Sequence, residues 1–192
     1  MFKLYEVDTD ADTLLIVPAA ADSGDSKSQE ASQLQLRIKV SSKHLSLASP
    51  RFSYELKGAS IDEADSRYHL QLSGFDPEAV KIIANIIHGR GSRVPKSVDV
   101  DVLANIAFFV ESYQCLDAVE VYVERWVRGL EGGLPKTYGR EVVLWMYISY
   151  VFHLTDLFKA FTKIVIAESN GPIHGLGFPL RERLIGKLLK IF

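Results

Sequence analysis

The stretch LQLRIKVSSKHLSLASPRF, Leu34 to Phe52, contains the change of period on which the fold reading turns. Leu34, Leu36, Ile38 and Val40 alternate with Gln35, Arg37 and Lys39, which predicts a strand with one apolar and one charged face. After Val40 the spacing becomes helical. Ser41 or Ser42 is expected to cap a short helix whose Leu45 and Ala48 return to the core. Ser49 then caps a second helix, with Pro50 at its first position and Phe52 as its anchor.

The cluster Ser41, Ser42, Lys43 and His44 also admits a catalytic reading, a small hydrolase with Ser42 as nucleophile and His44 as base. Residues one and two apart on a helix point in different directions, so neighbours in sequence rarely meet that geometry. No G-x-S-x-G elbow or S-x-x-K set accompanies them. Capping is the better-supplied reading, and no catalytic residue is assigned. Lys43 and His44 become surface or interface candidates.

Upstream, DTLLIVP (Asp12 to Pro18) is a compact apolar run, expected to be a strand in the middle of a sheet. A small, polar, aperiodic connector follows at residues 19–32, so the two strands make a hairpin with a long polar loop. Downstream, YHLQLSG predicts a third strand with Tyr68, Leu70 and Leu72 on one face. In FDPEAVKIIANIIHGRG, Asp76 is the expected N-cap, Pro77 the first helical residue and Gly89 the stop. Two more helices carry Leu103, Ile106, Ala107 and Val110, then Leu116, Val119, Val123, Trp126 and Val127, on their buried faces.

Glycines and a proline between Arg128 and Gly139 suggest a boundary. The expected division is a first domain at 1–130, a linker at 131–139 and a C-terminal helical extension at 140–192. Arg140 to Ala167 reads as two apolar helices broken near Leu154 to Asp156, with Trp145, Tyr147, Tyr150 and Phe158 turned inward. A loop and a final amphipathic helix, LRERLIGKLLKIF, complete the chain. Strands first and helices after, without β-α alternation, indicate an α+β fold.

The formal net charge of −2 and scattered basic residues offer no footprint for direct nucleic-acid binding. His69, His88, His153 and His174 form no i, i+4 pair, and no cysteine or carboxylate stands at metal-ligand spacing, so no metal and no cofactor is expected. The single cysteine, Cys115, begins a helix, where the dipole lowers a thiol pKa, but its neighbours favour a core thiol. VVLWMYISYVFHL is short of the roughly 20 apolar residues needed to span a bilayer. An intracellular protein of the cytoplasm or nucleus, without membrane contact, is the expectation.

In order, DTLLIVP, LQLRIKVSSKHLSLASPRF, YHLQLSGFDPEAVKIIANIIHGRGSRVP and VDVDVLANIAFFVESYQCLDAVEVYVERWV resemble a BTB/POZ domain of the fungal type, over about Lys3 to Arg128. The resemblance implies a small sheet flanked by a cluster of helices. It implies a non-catalytic interaction module or scaffold, often self-associating, and in many relatives an adaptor presenting partners to a cullin-3 ubiquitin ligase. Other relatives are transcription- or chromatin-associated regulators recruited through partners. BTB dimers commonly use a helix before the opening strand, where this chain has the extended-looking MFKLYEVDTDA, so the resemblance leaves open a monomer or a homodimer other than the usual swapped form, with Phe2, Leu4, Tyr5, Lys43 and His44 as the candidates for self-association. Cullin-binding relatives carry a hydrophobic-x-acidic motif before the third strand, a place taken here by Ile61, Asp62 and Glu63.

Overall fold

An α+β fold with a mixed five-stranded sheet is seen in the computed structural model, whose described residues are 1–18 and 35–168. The strands are β1 (Phe2–Glu6), β2 (Thr13–Val17), β3 (Gln35–Val40), β4 (Ile61–Asp62) and β5 (Arg67–Gln71), in the spatial order β1-β3-β2-β5-β4. β2 and β3 form the expected antiparallel pair, while β1 joins β3 and β5 joins β2 in parallel. Two strands add to the three read from the sequence. β1 turns its apolar Phe2 and Leu4 to solvent, so it has no core stripe to announce it. β4 is two residues long, below the reach of any periodicity.

β2 is buried at every position, as its unbroken apolar run predicts for an interior strand. Leu15 and Val17 meet the helical core together with Ile38, Val40, Leu70 and Leu72. On the other face, Leu14 stands in register between Lys39 and His69, and Ile16 between Arg37 and Gln71. Long polar side chains in such places shield apolar neighbours with their stems while their ends stay wet.

Among the described residues there are seven α-helices: α1 (Ser42–Ala48), α2 (Pro50–Gly58), α3 (Pro77–Ile87), α4 (Val100–Tyr113), α5 (Leu116–Leu130), α6 (Arg140–Val151) and α7 (Thr155–Glu168). Their ends follow the chemistry of their termini. The Asp76 carboxylate accepts the Ala79 N–H at 2.8 Å, Pro77 fills the first position of α3, and Gly89 leaves it at φ +66°. Asp99 caps α4 through the Val102 N–H, also at 2.8 Å. The Ser49 hydroxyl accepts the Phe52 N–H at 3.0 Å and donates to the Tyr113 carbonyl, fixing α2 to the end of α4. Phe52 then stacks on Tyr113, with ring centroids 4.2 Å apart.

α6 is buried without a break from Val142 to Ser149, between α4 and α7. Trp145 and Tyr147 face inward, Tyr150 and Phe158 are half-buried, and Trp145 stacks with Phe161 at 5.9 Å. The hydrophobic cluster that begins with Val7 and Leu15 continues through α6 to Val165 on α7, so the same core lies on both sides of residues 131–139. No helix among the described residues is long and apolar enough to cross a membrane. The connector at 19–32, Leu34, His174 and the amphipathic stretch 180–192 lie outside the described residues.

Candidate interaction surfaces

The mouth of α1 is capped from a distance. Ser41 is the N-cap residue, but its side chain makes no capping bond, which corrects the expectation that a local serine hydroxyl does so. The Asp12 carboxylate accepts the Ser42 N–H at 2.7 Å and the Ser42 hydroxyl as well. The Ser41 N–H donates to Nε2 of His88 at 2.9 Å. Two orphan donors of the helix start are thus satisfied by the head of β2 and the end of α3. Burial pushes the Asp12 carboxyl up, but the Ser42 and Thr13 hydrogen bonds outweigh it and hold the group below its ordinary value.

This arrangement separates the residues of the catalytic reading. Ser42 is held by Asp12, while the His44 ring stacks on His88 at 4.9 Å, and no hydrogen bond joins Ser42 to His44 among the described residues. His88 is committed at both nitrogens, since Nδ1 lies 2.8 Å from the Ala84 carbonyl and Nε2 accepts from Ser41. That pattern fixes the neutral tautomer with the proton on Nδ1. Burial lowers the His88 pKa, and the facing His44 adds to the effect against the opposing pull of Asp8. Lys43 and His44 are both exposed on α1, and Leu47 beside them is 89% accessible.

Among the described residues β1 is an edge strand of the sheet, paired on one side with β3. Phe2 and Leu4 project from its outer face, exposed, and the Arg37 guanidinium lies 4.4 Å from the Phe2 ring centroid. Tyr5 points the other way, where its hydroxyl bonds the Asn85 side chain of α3 at 3.1–3.2 Å. The three sequence-nominated residues therefore divide: Phe2 and Leu4 lie at the surface, and Tyr5 ties the strand down. Arg90 and Arg93 add bonds to the carbonyls of Val7 and Glu6, at 3.0 and 2.8 Å.

Ile61, Asp62 and Glu63 lie at the opposite edge, on and beside β4. Ile61 is 54% exposed and Glu63 is exposed. Asp62 is engaged in the hairpin, accepting the Ala64 N–H at 2.9 Å and lying 3.6 Å from His69. His69 contacts Asp65 through its other ring nitrogen at 3.0 Å, and this bond holds the Asp65 carboxyl below its ordinary value. The hairpin thus presents Ile61 and Glu63 and keeps Asp62 for itself.

Two sets of side chains that the sequence reading did not join are brought together. Asp62, Asp65 and His69 form one, and Asp8, His44 and His88 the other, with one ligand atom from each residue within 4.8 Å of the others. The expectation that no carboxylate stands at ligand spacing from a histidine is corrected by Asp65 and His69, four residues apart across a turn. The second set comes from three separate segments and left no local signal. In the first set the polar atoms satisfy one another and the backbone; in the second His88 is committed at both nitrogens and Asp8 accepts the Asp10 N–H, while the exposed His44 meets His88 by ring stacking. Cys115 is buried at the N-cap of α5, and burial pushes its thiol up to about 12, so the expected influence of the helix dipole is overridden.

No family model matches this chain, and no curated protein matches it in sequence.

Proposed function

We propose that this chain is a non-catalytic protein-interaction module of the BTB/POZ type, which self-associates through the β1 edge and serves as an adaptor for a cullin-3 ubiquitin ligase. The observation that carries the reading is the edge position of β1 among the described residues, with Phe2 and Leu4 exposed on a strand anchored from behind by Tyr5, Arg90 and Arg93. An unpaired strand edge offers a row of backbone donors and acceptors to another chain, and apolar side chains on it give that pairing a hydrophobic component. The ordered resemblance to fungal BTB domains, over about Lys3 to Arg128, supports the assignment of type.

The adaptor role rests on Ile61 and Glu63, at the far edge from β1, so self-association and partner capture use separate surfaces. An exposed apolar residue becomes an energetic anchor when a partner's groove desolvates it. Light scattering on the wild type and on a Phe2→Asp/Leu4→Asp variant tests self-association, with a fall in mass expected for the variant. Cullin-3 binding measured with Ile61→Ala and Glu63→Lys tests the adaptor role. Binding that is absent in the wild type, or unchanged in both variants, removes it and leaves a scaffold.

A further inference from the structure

β1 runs parallel to β3, so alternate residues turn both backbone groups toward that partner and the others turn theirs away. The Met1 carbonyl accepts the Gln35 N–H at 3.3 Å, and the Val7 N–H donates to the Lys39 carbonyl at 3.1 Å. The odd-numbered residues therefore face β3, and the N–H and C=O groups of Phe2, Leu4 and Glu6 point out of the sheet. In agreement, the Glu6 carbonyl is taken at 2.8 Å by Arg93, which leaves that oxygen a second lone pair. Among the described residues nothing takes the backbone groups of Phe2 and Leu4. Alternation puts the side chains of Phe2, Leu4 and Glu6 on the outer face, and Lys3 beside Tyr5 on the face toward α3.

An edge of this kind can pair antiparallel with its own copy about a two-fold axis, and the side chains discriminate between the registers. With Phe2 opposite Leu4 of the second copy, Lys3 faces the second Lys3 directly, a like-charge pair that destabilises. With Leu4 opposite Glu6, Phe2 falls opposite Asp8, beyond the end of the strand. With Leu4 opposite Leu4, Phe2 meets Glu6, Lys3 meets the Tyr5 ring, and all three outward residues contribute to about six backbone bonds. Lysine and tyrosine attract in that position through the ring face. Lys81, already 5.9 Å from the Tyr5 ring centroid, has its charge answered by Glu78.

We infer that two copies of this chain pair antiparallel through β1 with their Leu4 residues on the two-fold axis, so that the two five-stranded sheets continue as one. The inference rests on the self-association through β1 proposed above and supplies its symmetry and register. The two Leu4 side chains form the centre of the outer seam, and Lys3 and Tyr5 close it on the helical side.

The test uses the full chain. Light scattering on the wild type is expected to give twice the chain mass. Lys3→Cys, Leu4→Cys and Tyr5→Cys variants are then oxidised with glutathione disulfide, and the disulfide between chains is followed by non-reducing electrophoresis. Cys115 is buried and stays out of the reaction. Opposed residues of a hydrogen-bonded pair lie about 5.5 Å apart at Cα, within disulfide reach, whereas residues offset by two positions lie about 8 Å apart, beyond it. Leu4→Cys is therefore expected to cross-link about tenfold or more faster than Lys3→Cys or Tyr5→Cys. Twice the chain mass with the fastest cross-linking at Lys3→Cys or Tyr5→Cys overturns the register and leaves self-association through β1 standing. A wild type of single-chain mass, with no cross-link at any of the three positions, overturns both.

Discussion

The Asp12 carboxylate, at the head of β2, receives both the backbone N–H and the hydroxyl of Ser42, the first residue of α1. One side chain thus fastens the central strand to the helix that follows its hairpin partner. Asp12→Ala leaves the Ser42 N–H without its acceptor at a partly buried helix mouth, and is expected to cost about 1–2 kcal/mol. Ser42→Ala removes only the hydroxyl contact and should cost less. Urea unfolding checks both, as shifts in midpoint at unchanged slope.

His88 accepts a hydrogen bond in its neutral form, and burial, with His44 stacked on it, lowers its pKa from the ordinary 6.5 despite the pull of Asp8. The unfolded chain therefore takes up this proton at higher pH than the folded one. Stability is expected to be full above 6.5 and to fall as pH drops from there through the folded-state value. A separate loss follows below 3.8, as Asp12 is protonated through its own lowered value. Denaturant midpoints between pH 8 and 3 measure both, and His88→Gln should flatten the first step.

Cys115 is expected to resist thiol reagents in the native protein near neutral pH, because its thiol is buried and carries almost no thiolate. The measurement is reaction with an aromatic disulfide reagent, slow in buffer and complete in denaturant. Fast labelling of the native protein would contradict the packing described for α5.

Phe161 of α7 stacks on Trp145 within the core shared with α4. Phe161→Ala is expected to destabilise by about 3–5 kcal/mol. Because one hydrophobic cluster spans both sides of residues 131–139, tryptophan fluorescence and circular dichroism should report the same single transition in wild type and variant. Two separate transitions would show that residues 140–168 unfold by themselves.

How much of this was legible in the sequence depended on the range of each signal. The alternation around Ile38, the unbroken run of β2 and the Asp76-Pro77 entry with its Gly89 exit are local patterns, and each element forms where those patterns place it. The burial of Trp145 and Tyr147 also follows from the unbroken apolar run from Val142 to Ile148. What was not legible depends on contacts across the fold. Ser41 has the residue type of a helix cap, but Asp12 and His88 are better placed and take over its work. Phe2 and Leu4 alternate correctly for a strand while facing water, so no core stripe marked β1. The pairing of His69 with Asp65 and Asp62 depends on a turn at Ser66 with φ +56°, which residue identity did not announce.

The order of the strands has a consequence for the growing polypeptide. β2 meets its antiparallel partner early, but its parallel neighbour β5 arrives only after α1 and α2 have been made, when Thr13 aligns with Tyr68. Non-local parallel pairing of this kind raises contact order and slows closure. Until residues 67–71 emerge, the most apolar strand of the sheet has an uncovered side, with Leu14 and Ile16 beside it. A ribosome that stalls between α2 and β5 would therefore hold the chain with that side of β2 unpaired, a form open to aggregation.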